Sequence, residues 1–115
     1  WEAAMFITGK KLKNIIVFID CNKWQATDKT DDILKFEPIK KKWQSFGWNV
    51  KEINGHSFKE IENSLNNFKK NPSPTAIICR TIKGKGVSFM QDDNLWHYRS
   101  PNDREFFLAK KELGF

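Results

Sequence analysis

The chain has little of what cross-links a protein or carries it through a bilayer. Cysteine occurs only at Cys21 and Cys79, far apart and in no Cys-x-x-Cys pair, which argues against a disulfide scaffold or a zinc ribbon. Two buried free thiols in a reducing cytoplasm are the expected state. No apolar run approaches the roughly 20 residues of a membrane span, and no signal-peptide pattern occurs, so a soluble cytoplasmic protein without membrane contact is expected. Histidine is confined to His56 and His97, so no His-x-x-x-His is present. A Ser-His-Asp arrangement, a Walker loop and carboxylates paired at a defensible spacing are also missing, which leaves hydrolase and zinc-enzyme readings unsupported. An initiator Met is absent too: the sequence starts at Trp1 inside a helical pattern, as expected of a fragment.

What is present suits one globular domain. Hydrophobic residues make up 39% of 115 positions, enough for a modest core. Aromatic residues reach 14%, with 5 Trp and 10 Phe, and part of that surface is expected at an interface. The formal charge of +6 comes from 20 Lys and Arg against 14 Asp and Glu, and it suits a phosphorylated ligand, nucleic acid or anionic lipid. The lysines are spread thinly, densest at Lys40-Lys41-Lys42, where a solvated helix face explains them.

Apolar spacing predicts the order αβαβαβα. A helix over Trp1 to about Leu12 leads into Ile15-Ile16-Val17-Phe18-Ile19, a run without polar alternation, as in a strand covered on both faces. A loop from Asp20 to about Lys35 precedes a helix starting near Glu37-Pro38, with Phe36, Ile39, Trp43 and Phe46 on its stripe and Gly47 as its stop. Trp48 to Ile53 is a short strand. Ser57 and Glu60 predict a capping box for a helix whose inward stripe is Phe58, Ile61, Leu65 and Phe68. After the breaker Asn71-Pro72-Ser73-Pro74 comes a third strand, Thr75 to Ile82, and then a last helix from Ser100-Pro101 with Phe106, Ala109 and Leu113 inward. Strands alternating with helices imply a parallel sheet covered by helices on both faces, in one α/β domain over 1–115.

Ligands of such sheets gather beyond the carboxyl ends of the strands, so three loops matter. In Asp20-Cys21-Asn22-Lys23-Trp24-Gln25, Asn22 offers a neutral carbonyl oxygen that a hard cation such as Mg²⁺ accepts, or an Asx turn ending the strand. Lys83-Gly84-Lys85-Gly86 combines close backbone approach with two ammonium groups, which fits a phosphate or a solvated turn. His97, between Trp96 and Tyr98, is either an ordinary loop histidine or an acid–base group near neutral pH. His56 reads as a turn residue, and Glu2 as a surface carboxylate.

Taken in order, Trp1-Glu2-Ala3-Ala4, Asp20 to Gln25, Phe46-Gly47-Trp48, Asn54-Gly55-His56, Lys83 to Met90 and Trp96-His97-Tyr98 resemble the thiamine-diphosphate domain of transketolase, above all the amino-terminal subunit of split transketolases. The resemblance spans essentially the whole chain. It implies that Asn22 and the backbone carbonyl of Trp24 bind the Mg²⁺ on which the diphosphate sits, and that Lys83 and Gly84 form the turn beside the cofactor. His97 is then expected to reach the diphosphate near the reacting centre for positioning and proton transfer. Glu2 would belong to a carboxylate network joining paired active sites. Lys83 departs from the pattern, since transketolases often have an apolar residue there.

Two parts that the resemblance requires are not in the sequence: a Gly-Asp-Gly upstream of Trp1, whose Asp is a further Mg²⁺ ligand, and the pyrimidine-binding domain. The chain alone is therefore predicted inactive. It is expected to act with a separate pyrimidine-domain (carboxyl-terminal) subunit, as a dimer of such pairs, transferring a two-carbon ketol unit between sugar phosphates. A 1-deoxyxylulose-5-phosphate synthase shares the Lys-Gly-Lys-Gly turn and is the enzyme alternative. A basic nucleic-acid-binding module would need lysines and exposed aromatics on one face. The helical stripes point those aromatics inward, so no nucleic acid is expected.

Overall fold

The segment Thr-Ala-Ile-Ile-Cys-Arg becomes β3 (Thr75–Arg80), the middle strand of a three-stranded parallel sheet in the order β1-β3-β2. Ala76, Ile77, Ile78 and Cys79 are all buried, as an uninterrupted apolar run between two covered faces should be. β1 (Ile16–Cys21) and β2 (Asn49–Asn54) flank it in register, so that Cys21, Arg80 and Asn54 stand level at the carboxyl edge.

This sheet belongs to the first of two compact units. The computed structural model describes all of residues 1–115, and they divide into Trp1–Cys21 with Phe36–Thr81, and Asn22–Lys35 with Ile82–Phe115. In the first unit, α1 (Glu2–Gly9) and α3 (Ile39–Ser45) cover one face. Ala4 packs there with Trp48 and Ala76, and Ile39 with Cys21 and Ile78. The Trp48 indole N–H donates to the Ala4 carbonyl at 3.0 Å, which satisfies a buried donor and pins α1. On the other face α4 (Phe58–Lys70) sets Ile61 against Ile53, Ile77 and Cys79. No helix is long and apolar enough to cross a membrane.

Several sequence-based expectations shift. β1 runs on through Asp20 and Cys21, so the loop begins only at Asn22. β1 is also less covered than its composition implies, because it is an edge strand: Phe18, opposite Ile77 on the α4 side, stays 43% exposed. The capping box of α4 is not reciprocal. Ser57 Oγ accepts from the Glu60 N–H, whereas Glu60 reaches past Ser57 to accept from the Asn54 N–H at 3.0 Å, tying the helix start to the end of β2. Phe58, expected inward, is 89% exposed, and buried Ser64 takes a place on the inner face.

The second unit has no sheet. It holds the short α2 (Thr30–Ile33), two 3₁₀ turns (Ser88–Met90 and Asn94–His97) and α5 (Asp103–Glu112). α5 starts at Asn102, not at Ser100-Pro101, with a full capping box to Glu105. Phe106 and Leu113, expected inward, are each 52% exposed, because the helix is fastened by its ends: Ser88 donates its N–H and hydroxyl to the Glu112 carboxylate. Those bonds hold the Glu112 carboxyl below the usual carboxylate range.

Candidate cofactor-binding site

Five of the six residues singled out from the sequence fall in the second unit: Asn22, Trp24, Lys83, Gly84 and His97. Glu2 lies in the first unit, in the first turn of α1, with its side chain exposed. Its own backbone N–H, bonded to the carboxylate, holds its carboxyl below the usual range.

Asn22 follows β1 directly. Its Oδ1 accepts from the Trp24 N–H at 2.9 Å, closing an Asx turn over Lys23, whose φ of 71° lies in the left-handed region. The turn expected as the alternative to a metal ligand is therefore present. It does not compete with that role, since an amide oxygen carries two lone pairs. Beyond it, Trp24 and Lys29 form an antiparallel bridge whose bonds run from Gln25 N–H to Asp28 and from Thr30 N–H to Lys23. The Trp24 carbonyl takes no part in either bond. The turn thus offers two half-buried neutral oxygens, donors that suit a hard cation. No three His, Cys, Asp or Glu side chains come together as a metal cluster.

The glycine turn is built for close approach. Gly84 has φ +68°, and a Cβ there would lie 2.6 Å from the Met90 backbone carbon. Only glycine fits this position without moving the backbone. Lys83 beside it is half-buried, and its carbonyl accepts from the Asp92 N–H at 2.9 Å, which closes the loop from Lys83 to Asp92.

Two residues that sequence reasoning missed join these segments. Asp92 Oδ1 accepts from the Trp24 indole N–H at 2.7 Å, so one residue touches both the asparagine turn and the glycine turn. The Ala26 carbonyl accepts from Asn94 Nδ2 at 3.0 Å and from the Tyr98 hydroxyl, which fastens the 3₁₀ turn carrying His97 onto the same loop. His97 is exposed at the end of that turn, its ring edge-on to Tyr98 with centroids 5.0 Å apart. Trp96 turns inward, donates to the Phe89 carbonyl at 2.9 Å and lies under the Arg99 guanidinium. Nothing local in the sequence marks Asp92, because its partner is 68 residues away.

At the carboxyl edge of the first unit, Gly55 passes close to β3, where a Cβ would meet the Cys79 side chain at 2.8 Å. The His56 N–H donates to Asn54 Oδ1 in another Asx turn. Arg80 bridges Glu37 at 2.6 Å and Glu52 at 2.7 Å, and it pulls the Glu37 carboxyl below the usual range. Cys21 and Cys79 are buried free thiols, and burial pushes both thiols up.

The parallel sheet with its strand ends level is that of an α/β domain, a class that takes ligands beyond the carboxyl ends of its strands. Similarity to known proteins gives that class a family. Residues 1–115 match the family described as "Transketolase, thiamine diphosphate binding domain", and the chain belongs to it. It is 44% identical over 114 residues to the 6-deoxy-6-sulfo-D-fructose transketolase subunit SqwG of Clostridium sp. (strain MSTE9), covering 98% of this chain and 42% of that one. Against the apulose-4-phosphate transketolase subunit of Actinobacillus succinogenes the identity is 38% over 113 residues, covering 98% and 41%. The structure superposes on transketolase from Campylobacter jejuni with a TM-score of 0.90 at 28% identity, covering 99% of this chain and 18% of that one. This chain therefore spans about two fifths of the length of the split-subunit relatives.

Proposed function

We propose that this chain is part of a thiamine-diphosphate-dependent transketolase, a transferase that moves a two-carbon ketol unit between sugar phosphates. The observation that carries this reading is the joining of the Asn22–Trp24 turn, the Lys83-Gly84 turn and the His97 segment through Asp92 and the Ala26 carbonyl. Thiamine diphosphate supplies the carbon centre that carries the two-carbon unit, chemistry no side chain offers. The chain's own residues bind and orient it. Asn22 Oδ1 and the Trp24 carbonyl hold Mg²⁺. Lys83 contributes positive charge, and Gly84 contributes a backbone that a diphosphate can approach. His97 positions the diphosphate end and moves protons at its imidazole. Glu2, in the first unit, shares protons with carboxylates of a paired subunit.

Both relatives are named as subunits, which supports a partner chain; in this reading the partner is a separate pyrimidine-domain chain, the assembly a dimer of such pairs and the compartment the cytoplasm. The exposed Phe106, Phe107 and Leu108 of α5 suit burial against such a partner. The relatives' names specify a phosphorylated ketose in one case and a sulfonated one in the other. Ketoses ending in an anion are the substrate class proposed here.

The test combines the full polypeptide encoded with this chain and its pyrimidine-domain partner, thiamine diphosphate and Mg²⁺, and measures ketol transfer between sugar phosphates. Activity should require both polypeptides and the metal, and His97→Ala should lower kcat by about 100-fold. Condensation of pyruvate with glyceraldehyde phosphate in place of ketol transfer would replace this reading with a 1-deoxyxylulose-5-phosphate synthase.

A further inference from the structure

We infer that Asp92 is a positioning residue for the metal turn, acting through the indole of Trp24; this rests on the functional reading above. A backbone carbonyl makes no demand on its side chain, so the metal alone gives no reason for tryptophan at position 24. The structure supplies one. The Trp24 indole N–H donates to Asp92 Oδ1 at 2.7 Å, at the short end of the range for N–H···O bonds, as suits a charged acceptor. The Trp24 backbone N–H is held by Asn22 Oδ1 at 2.9 Å. The same residue is thus gripped at its backbone N–H and at the far end of its side chain, which fixes where its α-carbon sits, while the next peptide, which presents its carbonyl, is held by the Gln25 N–H donating to the Asp28 carbonyl at 2.9 Å.

Asp92 is itself held in place. Its N–H donates to the Lys83 carbonyl, and its φ of 58° is left-handed, a conformation Asp adopts more readily than most residues but keeps only where its surroundings dictate it. Lys23, between Asn22 and Trp24, is left-handed as well. Two turns with unusual backbone are therefore joined by one carboxylate, which couples the glycine turn to the amide turn. Lys29 lies over the Trp24 ring, 5.7 Å from its centroid, and steadies the indole from its face. Partners outside the ligand set that orient a ligating group typically change metal affinity by about 10- to 100-fold when removed.

Two substitutions separate the carboxylate from the backbone it sits on. Asp92→Gly removes the acceptor while tolerating positive φ, and Asp92→Asn keeps both an acceptor oxygen and tolerance of that backbone. The full polypeptide labelled with ¹⁵N at tryptophan, without metal or cofactor, gives one indole resonance per Trp, and Trp24→Phe identifies that of Trp24. Its N–H should exchange slowly in the unmodified protein, rapidly in Asp92→Gly and slowly again in Asp92→Asn. Calorimetric titration of Mg²⁺ in the presence of thiamine diphosphate should show about ten-fold weaker binding for Asp92→Gly and for Trp24→Phe, no further loss in the double variant, and near-normal binding for Asp92→Asn. Unchanged Mg²⁺ affinity in Asp92→Gly, or additive losses in the double variant, would overturn the positioning role alone. Failure of the unmodified protein to bind Mg²⁺ would overturn the functional reading and the positioning role with it.

Discussion

The two units of this chain are each organised by a different force. In the first it is burial: four successive residues of β3 are inaccessible, and helices close both faces over them. It even leaves the buried Trp43 indole N–H without a hydrogen-bond partner, packed between the Trp1 and Trp48 rings. The second unit buries little beyond Val87, and Phe106, Phe107, Leu113 and Phe115 of its carboxyl-terminal segment stay exposed. Directional hydrogen bonds accepted by Asp92, the Ala26 carbonyl, Glu105 and Glu112 hold it instead. Burial is non-directional and forgiving of small shifts, which suits a scaffold. Hydrogen bonds fix angles, which suits turns whose polar groups must keep set directions.

Substitutions should respect that division. The largest effect is expected from Ile78→Ala in the middle of β3, which should cost about 3 kcal/mol in urea unfolding; a loss below about 1 kcal/mol would mean that burial does not dominate the first unit. Gly84→Ala forces a side chain into the Met90 backbone at a left-handed position and should cost about 2 kcal/mol. Hydrogen exchange would sharpen the contrast. Faster exchange confined to residues 82–92 would keep the units distinct, whereas equal acceleration in β3 would merge them into one cooperative block.

Smaller effects come from the polar edge of the first unit. Arg80 lowers the folded-state value of Glu37, so the bridge contributes stability that is complete above the usual carboxylate range and is lost as pH falls through the lowered value. Glu37→Gln should lower stability at neutral pH by the small contribution of this exposed bridge, leave stability at acid pH unchanged, and so flatten the acid limb of a stability–pH curve. An unaltered acid limb would assign acid sensitivity to other carboxylates. The smallest effect is expected from Phe107→Ser on exposed α5, less than about 0.5 kcal/mol in the unfolding of the chain by itself. Association with the proposed partner subunit should weaken by contrast, and a large stability loss would place Phe107 in the core.

Much of this is legible in the sequence wherever the signal is local. The apolar run of β3, the stop at Gly47, the Ser57 cap and the asparagine turn each depend on residues a few positions apart, and the structure has them all. Periodicity fails where it has to say which face is covered. Phe58, Phe106 and Leu113 follow helical spacing yet stay exposed, because spacing groups residues on a face without stating whether anything packs on it. Phe18 escapes prediction for a related reason, since an edge strand and a central strand share one composition.

By itself, then, the sequence determined the α/β class, the family and the order of elements except for the short α2, which lies where a plain loop is expected; these rest on local propensity and on motifs contiguous in the chain. Only the tertiary structure decided which apolar faces are covered and that Trp24 is gripped by Asp92. A hydrogen bond between residues 68 positions apart depends on where the chain returns after three helices and two strands, and no local pattern encodes that path.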